Sequence, residues 1–102
     1  MDRDAIAEIG IDAQCRLYVS PLTKTFPYIY REAMEVHWDA TGRFLYAPPP
    51  PRAQRGEIWW IRQILAAAKE QDCELQIGPE TKWKNISPEL KEEISSSVEP
   101  HA

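Results

Sequence analysis

Four consecutive prolines, Pro48-Pro49-Pro50-Pro51, divide this chain into two halves joined by a stiff bridge. Proline fixes its own φ and donates no backbone hydrogen bond, so the run can join neither a helix interior nor a central strand. It favours an extended polyproline conformation instead. A ligand for a proline-binding domain would use that same conformation. Here strand signals precede the run and a helix signal follows it, which favours a spacer inside one compact unit. With 102 residues the chain can build one modest core but not a second lobe. The expected organisation is a single domain over residues 1–94 with a disordered tail at 95–102.

Upstream of the prolines, Met34, Val36 and Trp38 alternate with Glu35 and His37. Asp39-Ala40-Thr41-Gly42 follows, and the chain returns through Arg43, Phe44, Leu45 and Tyr46. An opening Asp and a closing Gly suit a type I turn in which the Gly takes the left-handed position, so this segment predicts a β-hairpin. Earlier, Cys15, Leu17 and Val19 alternate with Arg16 and Tyr18 as a half-buried strand that Pro21 ends. Phe26 to Tyr30 reads as a second extended stretch, and Ala5 to Ile9 as a short helix stopped by Gly10.

Downstream, Glu57 to Gln71 predicts the main helix. At 100° per residue Ile61, Ile64, Leu65 and Ala68 share one face, with Ile58 and Trp60 at its edges. Trp59 falls almost opposite, among Gln63, Ala66 and Glu70. Cys73, Leu75 and Ile77 then alternate as a strand closed by Gly78-Pro79. Ser87-Pro88-Glu89 supplies an N-cap, a first-position proline and a first-turn carboxylate for a short helix to about Ile94. The fold class is therefore α+β: a small, mainly antiparallel sheet with one long helix packed on a face and a short C-terminal helix.

The formal net charge of −4 lies wholly in the second half. Residues 1–55 hold seven acidic and seven basic side chains, and residues 56–102 hold nine and five. An acidic balance repels phosphate backbones, so nucleic acid is not the expected partner. No apolar run approaches the roughly 18 residues of a membrane span, so no membrane association is expected. Cys15 and Cys73 sit in alternating apolar stretches of a chain that starts without a signal-peptide pattern. They read as reduced core thiols of a cytoplasmic protein.

The residues of chemistry do not cluster. Glu35, His37 and Asp39 share one side of the expected hairpin and could be drawn as a metal or acid–base group, but a solvated strand face explains them as well. The cysteines lack metal-ligand spacing. The four glycines, at positions 10, 42, 56 and 78, are singletons at turns rather than a phosphate-binding loop. No catalytic residue, metal ligand or cofactor is assigned, and the chain reads as a non-enzyme.

Aromatic side chains carry the remaining signal. Trp and Tyr bury large areas at low entropic cost and dominate interface hot spots. Trp59, on the polar side of the helix, is the first candidate for a partner-binding anchor, with Tyr18 and Tyr30 ranked below it. Gln63 neighbours Trp59 on the helix, and Glu70, Asp72 and Glu74 form an acidic group near its end. These seven are the expected partner-binding residues.

From Met34 onward the chain resembles small bacterial immunity proteins of polymorphic or contact-dependent toxin systems. The residues that carry the resemblance are Met34 to Asp39, Gly42 to Tyr46, Trp60 with Gln63-Ile64 and Ala67-Ala68-Lys69, and Thr81-Lys82-Trp83 leading to Asn85-Ile86. Such families bind a cognate toxin domain and perform no reaction. The resemblance implies a protein-binding inhibitor that occludes a toxin domain, and it carries over no binding residue. A small-ligand-binding or homodimeric accessory protein is the alternative, with Trp and Tyr lining a pocket between sheet and helix, or with an exposed sheet edge pairing two copies.

Overall fold

The computed structural model describes residues 2–26, 29, 36–47 and 56–97. Six strands and two helices follow one another as β1 (Asp2–Ile11), β2 (Leu17–Pro21), β3 (His37–Asp39), β4 (Phe44–Ala47), α1 (Glu57–Glu70), β5 (Cys73–Gln76), β6 (Lys82–Lys84) and α2 (Pro88–Ser97). The strands form one sheet in the order β3-β4-β2-β1-β5, with β6 also pairing β1. The three pairings β1–β2, β2–β4 and β3–β4 are antiparallel, while β5 and β6 run parallel to β1. This is the expected α+β class with its long helix and its short C-terminal one.

The first ten residues depart most from expectation. The segment read as a short helix is β1, the strand to which β2, β5 and β6 all pair. The reason is a bulge between Ile6 and Glu8. An extra residue there shifts the parity of the side chains, so that Ile6 before it and Ile9 after it are both buried. Two apolar residues three apart then mimic a helical face. Gly10 does not stop a helix. It faces Tyr18 across the β1–β2 ladder, and a Cβ there would lie 2.7 Å from both the Tyr18 hydroxyl and the Lys84 carbonyl oxygen.

β5 pairs the start of β1 (Asp2↔Cys73, Asp4↔Leu75), and β6 pairs its later part (Glu8↔Lys82, Ile9↔Trp83). Between them the chain loops away through Ile77 to Thr81. Thr81 pins that loop at the bulge: its buried hydroxyl donates to the Ile6 carbonyl at 2.7 Å and accepts from the Gly78 amide at 3.0 Å. Asp4 ties the same strand to the segment after β2. Its carboxylate accepts from the Thr23 and Lys24 amides, each at 2.9 Å, and from the Thr23 hydroxyl at 3.0 Å. Burial alone would raise the Asp4 pKa, but these bonds outweigh it and hold the carboxyl below its ordinary value.

The predicted hairpin forms as β3–β4 with a different left-handed residue. Asp39 accepts from the Thr41 and Gly42 amides at 2.9 Å, and the residue with positive φ is Arg43 (60°) rather than Gly42. Glycine at 42 leaves room for the Phe44 ring, which a Cβ there would push aside.

Helix α1 packs on β5, β2 and β4. Trp60, Ile61, Ile64, Ala67 and Ala68 are its buried residues, and they meet Leu17, Val19, Leu45 and Ala47 from the sheet. Full burial of side chains such as Ile61 and Ile64 stabilises by about 1.5–3 kcal/mol each. α2 is capped as expected, the Leu90 amide donating to the Ser87 hydroxyl at 3.1 Å, and it buries Ile94. Residues 95–97, assigned to a disordered tail from sequence, continue this helix. Cys73 is buried and Cys15 is exposed in the β1–β2 turn, so the two thiols do not share the core as expected.

Candidate functional site

The helix covers one face of the sheet, and the side chains of the opposite face define the site. Register places Tyr18 beside Tyr46, and Tyr46 beside His37, on that outer face. Tyr18 and Phe44 stack with centroids 4.9 Å apart, and His37 and Tyr46 with centroids 5.3 Å apart. The Arg16 guanidinium lies over Tyr46 at 4.5 Å and over Phe44 at 5.3 Å. Asp12 at 2.8 Å and Asp39 at 3.4 Å hold it there. Arg16 is thus engaged internally by two rings and two carboxylates.

Next to this aromatic strip the bulge opens a groove of about 510 Å³. Its apolar walls come from Ala5, Ala7, Leu22 and Pro79, and Glu8, Ser20, Glu80 and Lys82 supply polar groups. Three local causes shape it. The bulge brings Ala7 into the wall, the Gly78-Pro79 turn lifts the chain off β1, and Pro21 ends β2 so that Leu22 turns outward. At 61% exposure Leu22 is the one large hydrophobic side chain left in solvent among the described residues. An isolated exposed leucine is unremarkable, but this one lines a concave surface.

The polar end of the groove is tied to β2 by one side-chain hydrogen bond. The Tyr18 hydroxyl donates to Glu8 Oε1 at 2.7 Å, and Tyr18 itself is buried over Gly10. Burial and the adjacent Glu8 carboxylate push the Tyr18 pKa up, so the phenol stays protonated and remains the donor. Apolar walls with a few fixed polar groups are the general form of a small-molecule site, and the volume falls inside the usual range of about 300–1,000 Å³. Bulges are often found beside such sites.

The expected partner-binding residues do not converge. Trp59 is half-buried and meets Trp60 edge-on with centroids 4.9 Å apart, packing against the core rather than standing clear of it. Its large ring reaches round the helix, which a wheel of Cα positions does not show. Gln63 is half-buried on the same helix. Glu70 and Asp72 are exposed at the α1–β5 corner, and Glu74 on β5 lies 3.8 Å from Arg3. Tyr18 is buried on the opposite side of the sheet from α1, and Tyr30 lies outside the described residues. A pocket between sheet and helix was expected; there the described residues place core side chains such as Leu17, Val19, Ile61 and Ile64, and the groove is lined by other residues, from β1, the end of β2 and the loop before β6.

Of the Glu35, His37 and Asp39 group, Glu35 lies outside the described residues, His37 rests on Tyr46, and Asp39 caps its turn and faces Arg16. Among the described residues no group of His, Cys, Asp and Glu side chains is arranged to hold a metal ion. No described helix is long and apolar enough to cross a membrane. Sequence reasoning missed the groove residues Glu8, Leu22, Glu80 and Lys82. Leu22 immediately after a strand-ending proline was the only available signal.

The family model for Integron Cassette Protein Hfx_Cass5 matches residues 4–80. A solved structure described as "Structure from the mobile metagenome of North West Arm Sewage Outfall: Integron Cassette Protein Hfx_Cass5" is 41% identical to the chain. The match covers 98% of this chain and 99% of that one, with a TM-score of 0.48. No curated protein matches. These findings overturn the resemblance to toxin-immunity proteins. That resemblance began at Met34 and rested on a hairpin and a Trp-bearing helix, whereas the family match also takes in most of the stretch before it. Val36, Leu45, Trp60 and Ile64, all within the resembling segments, are buried core residues, a pattern that packing produces in unrelated small α+β proteins.

Proposed function

This chain belongs to the Hfx_Cass5 family of integron cassette proteins, and we propose that it is a non-enzymatic binding protein whose site is the groove over the β1 bulge. The ligand is a small molecule with an apolar body. The observation that carries this reading is the groove itself: about 510 Å³, walled by Leu22, Pro79, Ala5 and Ala7, on the sheet face that α1 leaves open. No reaction is assigned to it. Burial pushes the Cys73 thiol up, away from nucleophilic character, and the ring of His37 rests against Tyr46. Cys15 and Cys73 form no disulfide, which suits a reducing compartment such as the cytoplasm.

Amide NMR of the labelled chain against a library of small organic fragments tests the reading. Hits should move the resonances of Ala5, Ala7, Leu22 and Thr81 together. Hits confined to α1 and α2, or none at any concentration, would contradict it. A protein partner is the second reading, favoured by the half-buried Phe44 and Tyr46 beside exposed His37 on the same face. It predicts that Tyr46→Ala abolishes capture of a stoichiometric partner without affecting fragment binding.

A further inference from the structure

Resting on the groove reading, we infer that the ligand is an amphipathic cation: a primary or secondary ammonium on an apolar body. The charged groups lining the groove are Glu8, Glu80 and Lys82, two carboxylates against one ammonium. Glu8 and Lys82 sit directly across from each other in the β1–β6 ladder, yet no ion pair joins them among the described residues. Lys82 therefore leaves the Glu8 charge only partly compensated.

Glu8 is also oriented. Tyr18 donates to its Oε1, and the buried ring packed over Gly10 fixes where that donor stands. Among the described residues no hydrogen bond goes to Oε2. A ligand that covers this end of the groove strips water from a carboxylate with acceptor capacity to spare. A neutral body leaves that charge without a partner, and an anionic one adds repulsion from Glu8 and Glu80. An ammonium supplies N–H donors and charge together, while its apolar part lies on Leu22 and Pro79.

The test is an amide NMR titration of the full chain with hexylammonium, hexanol and hexanoate, which share one alkyl body and differ in charge. Hexylammonium should move Ala5, Glu8, Leu22 and Lys82 at a concentration at least about tenfold lower than hexanol, the margin of one charge-assisted hydrogen bond, with hexanoate weaker still. Glu8→Gln keeps an acceptor for Tyr18 and should erase the margin. Glu80→Gln, at an exposed loop position, should narrow it and serves if the first variant does not fold. Groove binding with hexanol or hexanoate as tight as hexylammonium would overturn the inference and leave the groove reading standing. A hexylammonium margin that survives both substitutions would do the same. Silence of the groove toward all three compounds would overturn both.

Discussion

The two faces of the sheet are built from the same strands and the same alternation, yet they do different things. On the inner face Leu17, Val19, Leu45 and Ala47 meet α1, and burial is complete. On the outer face Tyr18, Phe44, Tyr46 and Arg16 cover one another, and among the described residues α1 packs on the opposite face. Stability resides mainly in the first, where each apolar side chain is removed from water on every side. The second is held by ring stacking, a strapped guanidinium and a phenol–carboxylate bond, and it leaves a concave end uncovered. The contrast teaches that a chain this small can afford an open sheet face only by making that face largely self-sufficient.

The sharpest way to break this comparison is on the inner face. Ile64→Ala should cost about 3 kcal/mol of unfolding free energy in urea denaturation, because Ile64 is fully buried against the sheet. A loss under about 1 kcal/mol would mean that the inner face is not the main source of stability. The next effect lies where the faces join. Gly10→Ala should destabilise by about 2 kcal/mol, since the added methyl meets the Lys84 carbonyl as well as the Tyr18 ring. Gly78→Ala, where a Cβ meets nothing within 4 Å, is the control and should be close to neutral. Equal effects at the two glycines would contradict the packing described for Tyr18.

Asp4→Asn probes the strand β1 through acid. The folded carboxyl is held below its ordinary value, so its contribution is present above the unfolded pKa of about 3.9 and is lost as pH falls through the folded one. The wild-type chain should lose stability on that acid limb, and Asp4→Asn should be less stable at neutral pH by about 2 kcal/mol with a flatter limb. Thermal melts across pH 2 to 7 would show an unchanged limb if Asp4 were merely solvated. On the outer face, Arg16→Lys should cost about 1 kcal/mol, because an ammonium keeps the charge but loses the planar stacking on Tyr46 and Phe44. No change in chemical denaturation would mean that the strap contributes nothing.

The same comparison explains what could be read from sequence. The inner face announced itself by period: Ile61 and Ile64 on the helix and Leu17 and Val19 on their strand are buried as the pattern required. The Ser87 cap was legible because it depends on neighbours in sequence. β1 was not, because its bulge places Ile6 and Ile9 three apart and replaces the strand period with a helical one. β6 is three residues long with a lysine at each end, too short to show a period. The groove was the least legible part. Its walls come from residues 5–8, Ser20, Leu22 and residues 78–82, which local patterns do not connect and only the pairing of β1 with β2 and β6 brings together. Trp59 was prominent in sequence for its size, and size is also what lets it stay half-buried while packing against the core.

Leu22 separates the two faces in one experiment, because it is the large apolar side chain given to the groove rather than to the core. Leu22→Asp should leave the unfolding free energy within about 0.5 kcal/mol of wild type, as expected for an exposed position. In the same samples it should abolish the fragment-induced shifts of Ala5, Ala7 and Thr81. Retained fragment binding in the stable variant would contradict the claim that the groove over the β1 bulge is this protein's binding site.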